Sequence, residues 1–355
     1  MKIVIFGLAV SSSWGNGHAT LWRGLIRALA ARGVQVRFFE RDMAYYAQYR
    51  DLHALPGGGD LTLYREWADI ADVARAAVAT ADATIVTSYC PDARAAAALM
   101  EQAPGQTVFY DLDTPVTLAR LSEGGQVDYL PEGGLGQFDL VLSYTGGRAL
   151  DGLGAFGARR AAPLYGHVDP AQHAPARLEP RYGADLSYIG TYADDRQAGV
   201  DELFLGPARM LPGARFVLAG SGYPADFPWT PNVWFVHHLP PAEHPAFYAA
   251  SRLTLNVTRG AMKAMGWCPS GRLFEAAACG APVLTDTFEG LDAFFTPGVE
   301  LLTAETTSEA LDALERDDLP EIARRARARV LAEHTSAHRA DELLALLNVS
   351  ARAAA

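Results

Sequence analysis

Residues Ser270–Asp286 read SGRLFEAAACGAPVLTD, and this stretch decides the fold class of the chain. Its small and apolar residues predict a helix over Gly271–Cys279, followed directly by a short strand over Pro282–Thr285. The same alternation extends from this unit in both directions along the chain. Strands that alternate with helices predict a mostly parallel sheet with helices on both faces, so the chain is α/β.

The alternation runs through both halves of the chain. We therefore expect two doubly wound, Rossmann-like domains facing a central cleft. In the first half, the predicted strands are Lys2–Phe6, Val34–Phe39, Ala83–Thr87, Gln106–Tyr110, Asp139–Ser143 and Ala161–Tyr165, with helices at Ala19–Arg32, Trp67–Thr80, Pro91–Gln102 and Gly147–Phe156. In the second half, the other predicted strands are Asp185–Ile189, Arg215–Ala219, Val233–Val236, Leu253–Val257 and Glu300–Leu302, with helices at Asp195–Met210, Glu243–Ala250 and Ser308–Glu315.

Residues 169–184 interrupt this pattern, because they are rich in proline and show no hydrophobic periodicity. Such a segment is typical of a linker. We therefore place an N-terminal domain at residues 1–168 and a C-terminal domain at residues 185–335. The stretch Leu319–Leu347 is predicted to be helical, and we expect the last helix, residues 336–355, to cross back to the N-terminal domain.

Composition excludes several classes of protein. Half of the 355 residues are hydrophobic and 20% are charged, which is typical of a globular chain. The 41 acidic residues outnumber the 30 basic ones, so we expect no nucleic-acid partner. No apolar run reaches the roughly 18–20 residues of a transmembrane helix. Three scattered cysteines form neither a disulfide framework nor a zinc motif, which fits a reducing compartment and predicts a cytoplasmic protein.

The loop after the first strand reads SSSWGNGH and ends at His18. Its residues Gly15, Asn16 and Gly17 allow the backbone to approach a ligand closely, and the helix that follows offers free N–H groups to an anion. We predict that this loop contacts an acceptor or a sugar. His18 can act as a general base or can cap the helix, and the sequence leaves both roles open.

The same loop is not a dinucleotide-binding motif. That motif requires a glycine three residues after Gly17, where Thr20 stands instead. Glu40 does occupy the end of the second strand, where a dehydrogenase has its ribose-binding acid. A nicotinamide-dependent enzyme is therefore a minor alternative.

Asp111 and Asp113 follow the apolar strand that ends at Tyr110. If the chain stays extended, both carboxylates point to one face, where they can bind a cation or orient a sugar hydroxyl. Aspartate is also common before turns, and Pro115 favours a helix start directly afterwards. We take Asp113, Asp111 and His18 as the candidate catalytic residues, with Asp113 the best placed, and predict no metal site.

Two further loops contain glycine at the start of a helix. Thr145 and Gly146 follow one strand. We assign these two residues the same role as Gly15, which is contact with an acceptor or a sugar. Ser270 and Gly271 begin the helix quoted first, whose positive end can receive a phosphate, and Arg272 adds a charged donor there.

Glu275 lies one turn after Arg272, and its carboxylate can accept two hydrogen bonds from ribose hydroxyls. Arg259 stands just after a strand in the same half of the chain. An acid and two arginines beside a helix of small apolar residues favour a binding site over a purely structural helix.

These residues resemble a known family. The segment LFEAAACGAPVLTD is similar to the C-terminal signature of group 1 glycosyltransferases of the two-domain GT-B fold, and the wider set resembles the CgeB-like branch, named for spore maturation proteins. SYIGTYADDRQ, LNVTR and FEGLDAFFTPGVELL extend the resemblance over about residues 185–303. In the first half, SSSWGNGHAT resembles the family's glycine-rich loop.

The resemblance implies a nucleoside diphosphate sugar as co-substrate, no bound cofactor, and a small-molecule, glycan or lipid-linked acceptor. It implies that Glu275 binds the donor ribose and that Arg196 and Arg259 bind the diphosphate. The helix start at Ser270–Arg272 is implied to bind phosphate or sugar, so that arginines and a helix terminus, not a metal, stabilise the leaving group. The other implied donor-site residues are Gly190, Thr191, His238 and Leu239.

One position departs from the family pattern. Many retaining members have a second glutamate eight residues before the ribose-binding one, and Trp267 stands there in this chain. The stereochemical course is therefore open: Asp113 or His18 takes the acceptor proton in an inverting enzyme, and the leaving phosphate does so in a retaining one. Two alternatives share the fold, a sugar-nucleotide 2-epimerase and a non-catalytic nucleotide-sugar-binding protein.

Overall fold

A computed structural model describes the backbone of residues 1–353 and the side chains of residues 1–347. The chain divides into two units. The first unit comprises residues 1–165 and the C-terminal helix from Ser336 onward, and the second comprises residues 166–335.

The first unit contains a seven-stranded sheet, and every strand pair in it is parallel. Its strands are β1 (Lys2–Gly7), β2 (Gln35–Arg41), β3 (Asp60–Tyr64), β4 (Ala83–Thr87), β5 (Gln106–Asp111), β6 (Leu140–Ser143) and β7 (Ala161–Pro163), in the order β3-β2-β1-β4-β5-β6-β7. Apart from the C-terminal helix, its helices are α1 (Gly17–Ala30), α2 (Ala44–Ala47), α3 (Trp67–Val78), α4 (Ala93–Met100), α5 (Thr114–Ser122) and α6 (Arg148–Ala155).

The second unit contains a six-stranded parallel sheet in the order β10-β9-β8-β11-β12-β13. Its strands are β8 (Ala184–Ile189), β9 (Phe216–Gly220), β10 (Val233–His237), β11 (Ser251–Asn256), β12 (Val283–Thr285) and β13 (Leu302–Thr303). Its helices are α7 (Gln197–Val200), α8 (Gly206–Met210), α9 (His244–Ala249), α10 (Gly260–Met265), α11 (Gly271–Cys279), α12 (Thr307–Glu315) and α13 (Leu319–Glu333).

Both sheets form because their central strands are buried on both faces. In β4 every residue is buried, and β11 is buried except at Arg252. Helix α1 covers one face of the first sheet with Leu25, Ile26 and Leu29, none of which is exposed to solvent. Each such side chain contributes about 1.5–3 kcal/mol to folding. The predicted fold class, two doubly wound α/β domains, is confirmed.

The last helix, α14 (Ser336–Ala353), belongs to the first unit. Its residues Ala340, Leu343 and Leu347 are buried in the same hydrophobic core as α1. Arg32, just after α1, makes two 2.6 Å hydrogen bonds to the Asp341 carboxylate. Among the described residues, no helix is long and apolar enough to cross a membrane.

Several details differ from the sequence-based prediction, and helices α2 and α10 were also not predicted. Strand β3 was not predicted, and the segment 169–184 lies within the second unit. The predicted helix over Asp195–Met210 is a series of short helical segments with a π-helical turn at Asp201–Leu205, which ends two residues before Pro207. The predicted helical stretch Leu319–Leu347 is broken at His334–Thr335, where the chain leaves the second unit.

Candidate functional site

In the first unit, a tyrosine links the predicted catalytic residues at the carboxyl edge of the sheet. The Tyr89 hydroxyl donates a 2.5 Å hydrogen bond to Asp113 Oδ2, and the centres of the Tyr89 and His18 rings are 6.2 Å apart. Tyr89 has a φ of +62°, a left-handed conformation that is uncommon for residues other than glycine. The sequence analysis missed Tyr89, and its only sequence signal is its position just after β4.

The two aspartates have different environments. Asp111 is fully buried at the end of β5, where its Oδ1 accepts the Asp113 N–H at 3.0 Å. Burial is the main cause that raises the pKa of Asp111 to about 6. Asp113 is partly exposed and precedes α5 without making a side-chain capping bond. The expected pair of carboxylates on one open face is therefore absent, and Asp113 is the accessible one.

His18 lies in the first turn of α1 but is not its cap. The Asn16 side chain caps this helix, because its Oδ1 accepts the His18 N–H at 3.1 Å. Burial lowers the pKa of His18 to about 4, so its imidazole is neutral at neutral pH. The capping role considered for His18 is wrong. The other role considered, that of a general base, stays a prediction.

Glu40 orders the glycine-rich loop and is not a free ribose-binding acid. It is buried, and its Oε2 accepts the backbone N–H groups of Val10 and Ser11 at 2.7 and 2.9 Å. Because this carboxylate is committed to the loop, the nicotinamide alternative loses its only supporting residue.

A second acid ties the loop to the segment after β2. Asp51 forms a bidentate ion pair with Arg23 and also accepts hydrogen bonds from the Ser13 N–H and hydroxyl. Gly15 and Gly17 are exposed between these anchors. Hydrogen bonds to Glu40 and Asp51 thus fix the loop, while its two glycines stay accessible to a ligand.

Thr145 and Gly146 are both buried, so neither side chain nor Cα position is open to a ligand. A Cβ at Gly146 would meet the Tyr165 hydroxyl at 1.9 Å, so glycine is needed there for packing. The exposed residues of this loop are Gly147 and Arg148. Thr145 and Gly146 are therefore buried packing residues of this loop.

In the second unit, α11 begins at the residues predicted for its start. Ser270 caps the helix by accepting the Arg272 N–H at 3.4 Å, and Gly271 is its first residue. The Arg272 guanidinium donates a 2.6 Å hydrogen bond to Asn256 Oδ1, at the end of β11, and lies 5.4 Å from the centre of the Tyr188 ring. A helix N-terminus and a fixed cation therefore occupy one place.

Arg196 reaches the same tyrosine from another loop. Its Nη1 lies 3.2 Å from both the Tyr188 hydroxyl and the Thr191 carbonyl oxygen. Gly190 is buried beside it, and a Cβ there would stand 3.0 Å from that nitrogen. Two arginines separated by 76 positions in the sequence thus meet around Tyr188 at the carboxyl ends of β8 and β11.

Arg259 has a different partner, because its Nε lies 3.2 Å from Asp195 Oδ2. One turn later in α10, Lys263 forms ion pairs with Glu305 at 2.7 Å and with Asp286 at 3.5 Å. The sequence analysis missed Lys263, although it is a cation four residues after Arg259. These two cations are balanced by acids, unlike the contacts of Arg196 and Arg272 described above.

Glu275 lies one turn into α11 and faces two histidines. Its Oε2 is 3.9 Å from His244 Nδ1, and His173 Nε2 is 3.4 Å from that same nitrogen. His244 Nε2 lies 3.2 Å from the carbonyl oxygen of Leu239. The His238 N–H donates to the Gly220 carbonyl oxygen at 2.9 Å, with a φ of +49° at His238. The predicted residues His238 and Leu239 thus lie on a tight turn directly after β10.

Trp267 is held in a strained turn before α11. Its φ is +50°, and its N–H donates to the Glu289 carbonyl oxygen at 2.6 Å. Gly290 packs against the Trp267 ring, where a Cβ would come within 2.4 Å of it. The turn therefore fixes an aromatic ring eight residues before Glu275.

Comparisons with known proteins agree with this architecture. Residues 196–345 match a family model described as "Glycosyl transferase-like". A search of curated proteins finds no significant match. HepE of Anabaena, solved with UDP and glucose, is 14% identical over 98% of this chain and 100% of its own, with a TM-score of 0.72.

Two other solved structures are similar over nearly their whole length. The sucrose-phosphate synthase of Thermosynechococcus elongatus is 16% identical over 100% of both chains, with a TM-score of 0.69. An alpha-glucosyltransferase solved with UDP-glucose and DNA is 13% identical over 98% of this chain and 99% of that one, with a TM-score of 0.69. The chain therefore has the GT-B fold of these glycosyltransferases. The CgeB-like branch stays a prediction.

Proposed function

We propose that the chain is a glycosyltransferase that takes a sugar from a nucleoside diphosphate sugar and transfers it to an acceptor without using a metal ion. The observation that carries the proposal is that Arg196 and Arg272 both contact Tyr188, while Arg272 lies in the first turn of α11, one turn before Glu275. Cations and a helix terminus suit a diphosphate, and a carboxylate suits ribose hydroxyls. All three side chains lie in the segment that matches the glycosyltransferase-like family model.

The donor in this proposal is a UDP-sugar. HepE has been solved with UDP-glucose, and so has the alpha-glucosyltransferase. In the second unit of this chain, Arg196 and Arg272 are available to offset the charge that develops on the leaving diphosphate. The protein acts in the cytoplasm, and its acceptor is a small molecule, a glycan or a lipid-linked sugar.

The first unit supplies the acceptor side of the reaction in this proposal. Asp113 is partly exposed and bonded to Tyr89, which gives an inverting enzyme a fixed carboxylate base. No nucleic acid serves as acceptor, because the net charge of −11 opposes binding to a polyanion. The alpha-glucosyltransferase was solved with DNA, and the proposal does not extend that partner to this chain.

Isotope-labelled UDP-glucose distinguishes this proposal from its two alternatives. The purified chain is incubated with the labelled donor and EDTA, with and without a panel of sugars, glycosides and lipid-linked sugars. We expect label to move to one acceptor class, with the same rate in EDTA as in Mg²⁺ or Mn²⁺. Conversion of the labelled sugar without any acceptor would instead identify an epimerase, and binding without turnover would identify a binding protein. Activity that requires Mn²⁺ or Mg²⁺ would show that the metal-free mechanism is wrong.

A further inference from the structure

Three side chains from distant parts of the sequence meet in the second unit. His173 Nε2, His244 Nδ1 and a Glu275 carboxylate oxygen all lie within 4.8 Å of one another. We propose that these three residues form a binding site for a transition-metal ion such as Zn²⁺, and that the bound ion inhibits the protein. No family pattern or sequence motif pointed to this site, since His173 lies in the segment that resembled a linker.

The distances suit a tetrahedral ion. Zinc bonds nitrogen and oxygen ligands at about 2.0–2.2 Å, so two ligands of one tetrahedral ion lie about 3.3–3.6 Å apart. The two imidazole nitrogens are 3.4 Å apart, and the carboxylate oxygen is 3.9 Å from His244 Nδ1. The third pair, His173 Nε2 and the Glu275 oxygen, lies within 4.8 Å. A movement of the Glu275 side chain by up to about 1 Å would complete a three-ligand site, with a fourth position left open.

The hydrogen bonding around His244 orients it as a metal ligand. Its Nε2 must carry the proton in order to donate to the Leu239 carbonyl oxygen at 3.2 Å, so the lone pair on Nδ1 points toward His173 and Glu275. A backbone carbonyl on the far nitrogen is the usual second partner of a metal-bound imidazole. The Nδ1 lone pair of His244 and the Glu275 carboxylate therefore face the same point, where they would attract a cation.

Burial of the cluster also favours a bound ion. His173 is 1% exposed, which protects an ion at this place from exchange with water. Imidazole nitrogens and carboxylate oxygens are common ligands of zinc.

The inhibitory part of this inference rests on the proposed function. There Glu275 accepts hydrogen bonds from the donor ribose, and the same carboxylate cannot also bind an ion without weakening that contact. Metal and nucleotide should therefore compete for Glu275.

Calorimetric titration of the EDTA-treated, dialysed full chain with Zn²⁺ tests the site. We expect one ion per chain, and a Co²⁺ complex with the visible absorption of tetrahedral cobalt. His173→Ala and His244→Gln should each weaken binding by more than about 100-fold, because losing a ligand costs more than losing an outer partner. His53→Ala, at an exposed histidine of the first unit, should bind as the wild type does.

Unchanged Zn²⁺ affinity in both histidine variants, or no binding of Zn²⁺ to the wild type, would overturn the proposal. Melting curves in EDTA show whether each histidine variant is folded. If one variant is unfolded, the Zn²⁺ affinity of the other variant tests the site. The same titration with UDP present should weaken Zn²⁺ binding in the wild type. If the chain binds Zn²⁺ at these histidines but binds no nucleotide, the metal site stands and the proposed function fails.

Discussion

The Asp113 carboxylate bonds to Tyr89 and makes no capping bond to the helix it precedes. We predict that Asp113→Asn lowers kcat by about 10²–10⁴, the usual cost of losing a positioned proton acceptor. Affinity for the donor should stay unchanged, because the proposed donor-binding residues lie in the second unit. Steady-state rates and calorimetry with UDP measure the two effects separately.

Asp128→Asn is the matched control for Asp113→Asn, because Asp128 is an exposed acid of the same unit, and it should leave the rate unchanged. If the Asp113 variant keeps the wild-type kcat, the base is another group, and His18 becomes the candidate. Asparagine caps helices about as well as aspartate, so a loss of rate without a loss of stability cannot come from capping.

His18 gives a prediction about pH and stability. Its pKa is about 4 in the folded chain and 6.5 for the ordinary imidazole, so between these values the unfolded chain binds a proton that the folded chain does not. The free energy of unfolding of the wild type should therefore fall relative to that of His18→Asn as the pH is lowered from 7 to 5. Urea unfolding of both proteins at each pH measures this, and a difference that does not change with pH would show that the ring is not buried in its neutral form.

Single residues were predictable where their roles are local. Ser270, Gly271 and Arg272 stand at a helix start in the sequence as in the structure, since glycine and serine signal such starts over a few residues. Tyr89 and His173 could not be predicted, because their partners lie 24 and 71 positions away. Periodicity says nothing about such pairs.

The helix α14 is the element that most clearly joins distant parts of the chain. Its residue Leu343 is 1% exposed in the core that it shares with α1. We predict that Leu343→Ala destabilises the first unit by about 2–5 kcal/mol, the usual cost of a cavity at a buried leucine. Leu178→Ala, at a leucine that is 54% exposed, is the control and should change stability by less than about 0.5 kcal/mol. Equal unfolding midpoints for the two variants in urea would show that α14 is not part of this core.

Elements with strong periodicity were predicted well, and weak ones were not. Helix α1 has a clear apolar stripe, whereas β3 is an edge strand with one buried residue in five and gives little signal. The break between α13 and α14 falls at His334–Thr335, without glycine or proline. Tertiary packing sets it there, because α14 covers the core of the other unit.

At the scale of the whole molecule, two parallel sheets were predictable from alternation alone, and the GT-B class followed from the motifs of the second half. The chemistry of the first unit was less predictable. Its loop residues divide into buried supports, such as Asn16 and Thr145, and exposed positions, such as Gly15 and Gly147. Sequence motifs do not separate the two groups, since burial depends on neighbouring strands.

The central claim is that the start of α11 and Glu275 bind a nucleoside diphosphate. Calorimetric titration of the wild type, Glu275→Ala and the control Glu315→Ala with UDP, GDP and ADP in EDTA tests it most directly. One of the nucleotides should bind the wild type and the control equally, and Glu275→Ala should lose about 1.5–3 kcal/mol of binding free energy, or about 10- to 150-fold in Kd, with an unchanged melting temperature. The account is contradicted if none of the three binds the wild type, or if Glu275→Ala binds with wild-type affinity.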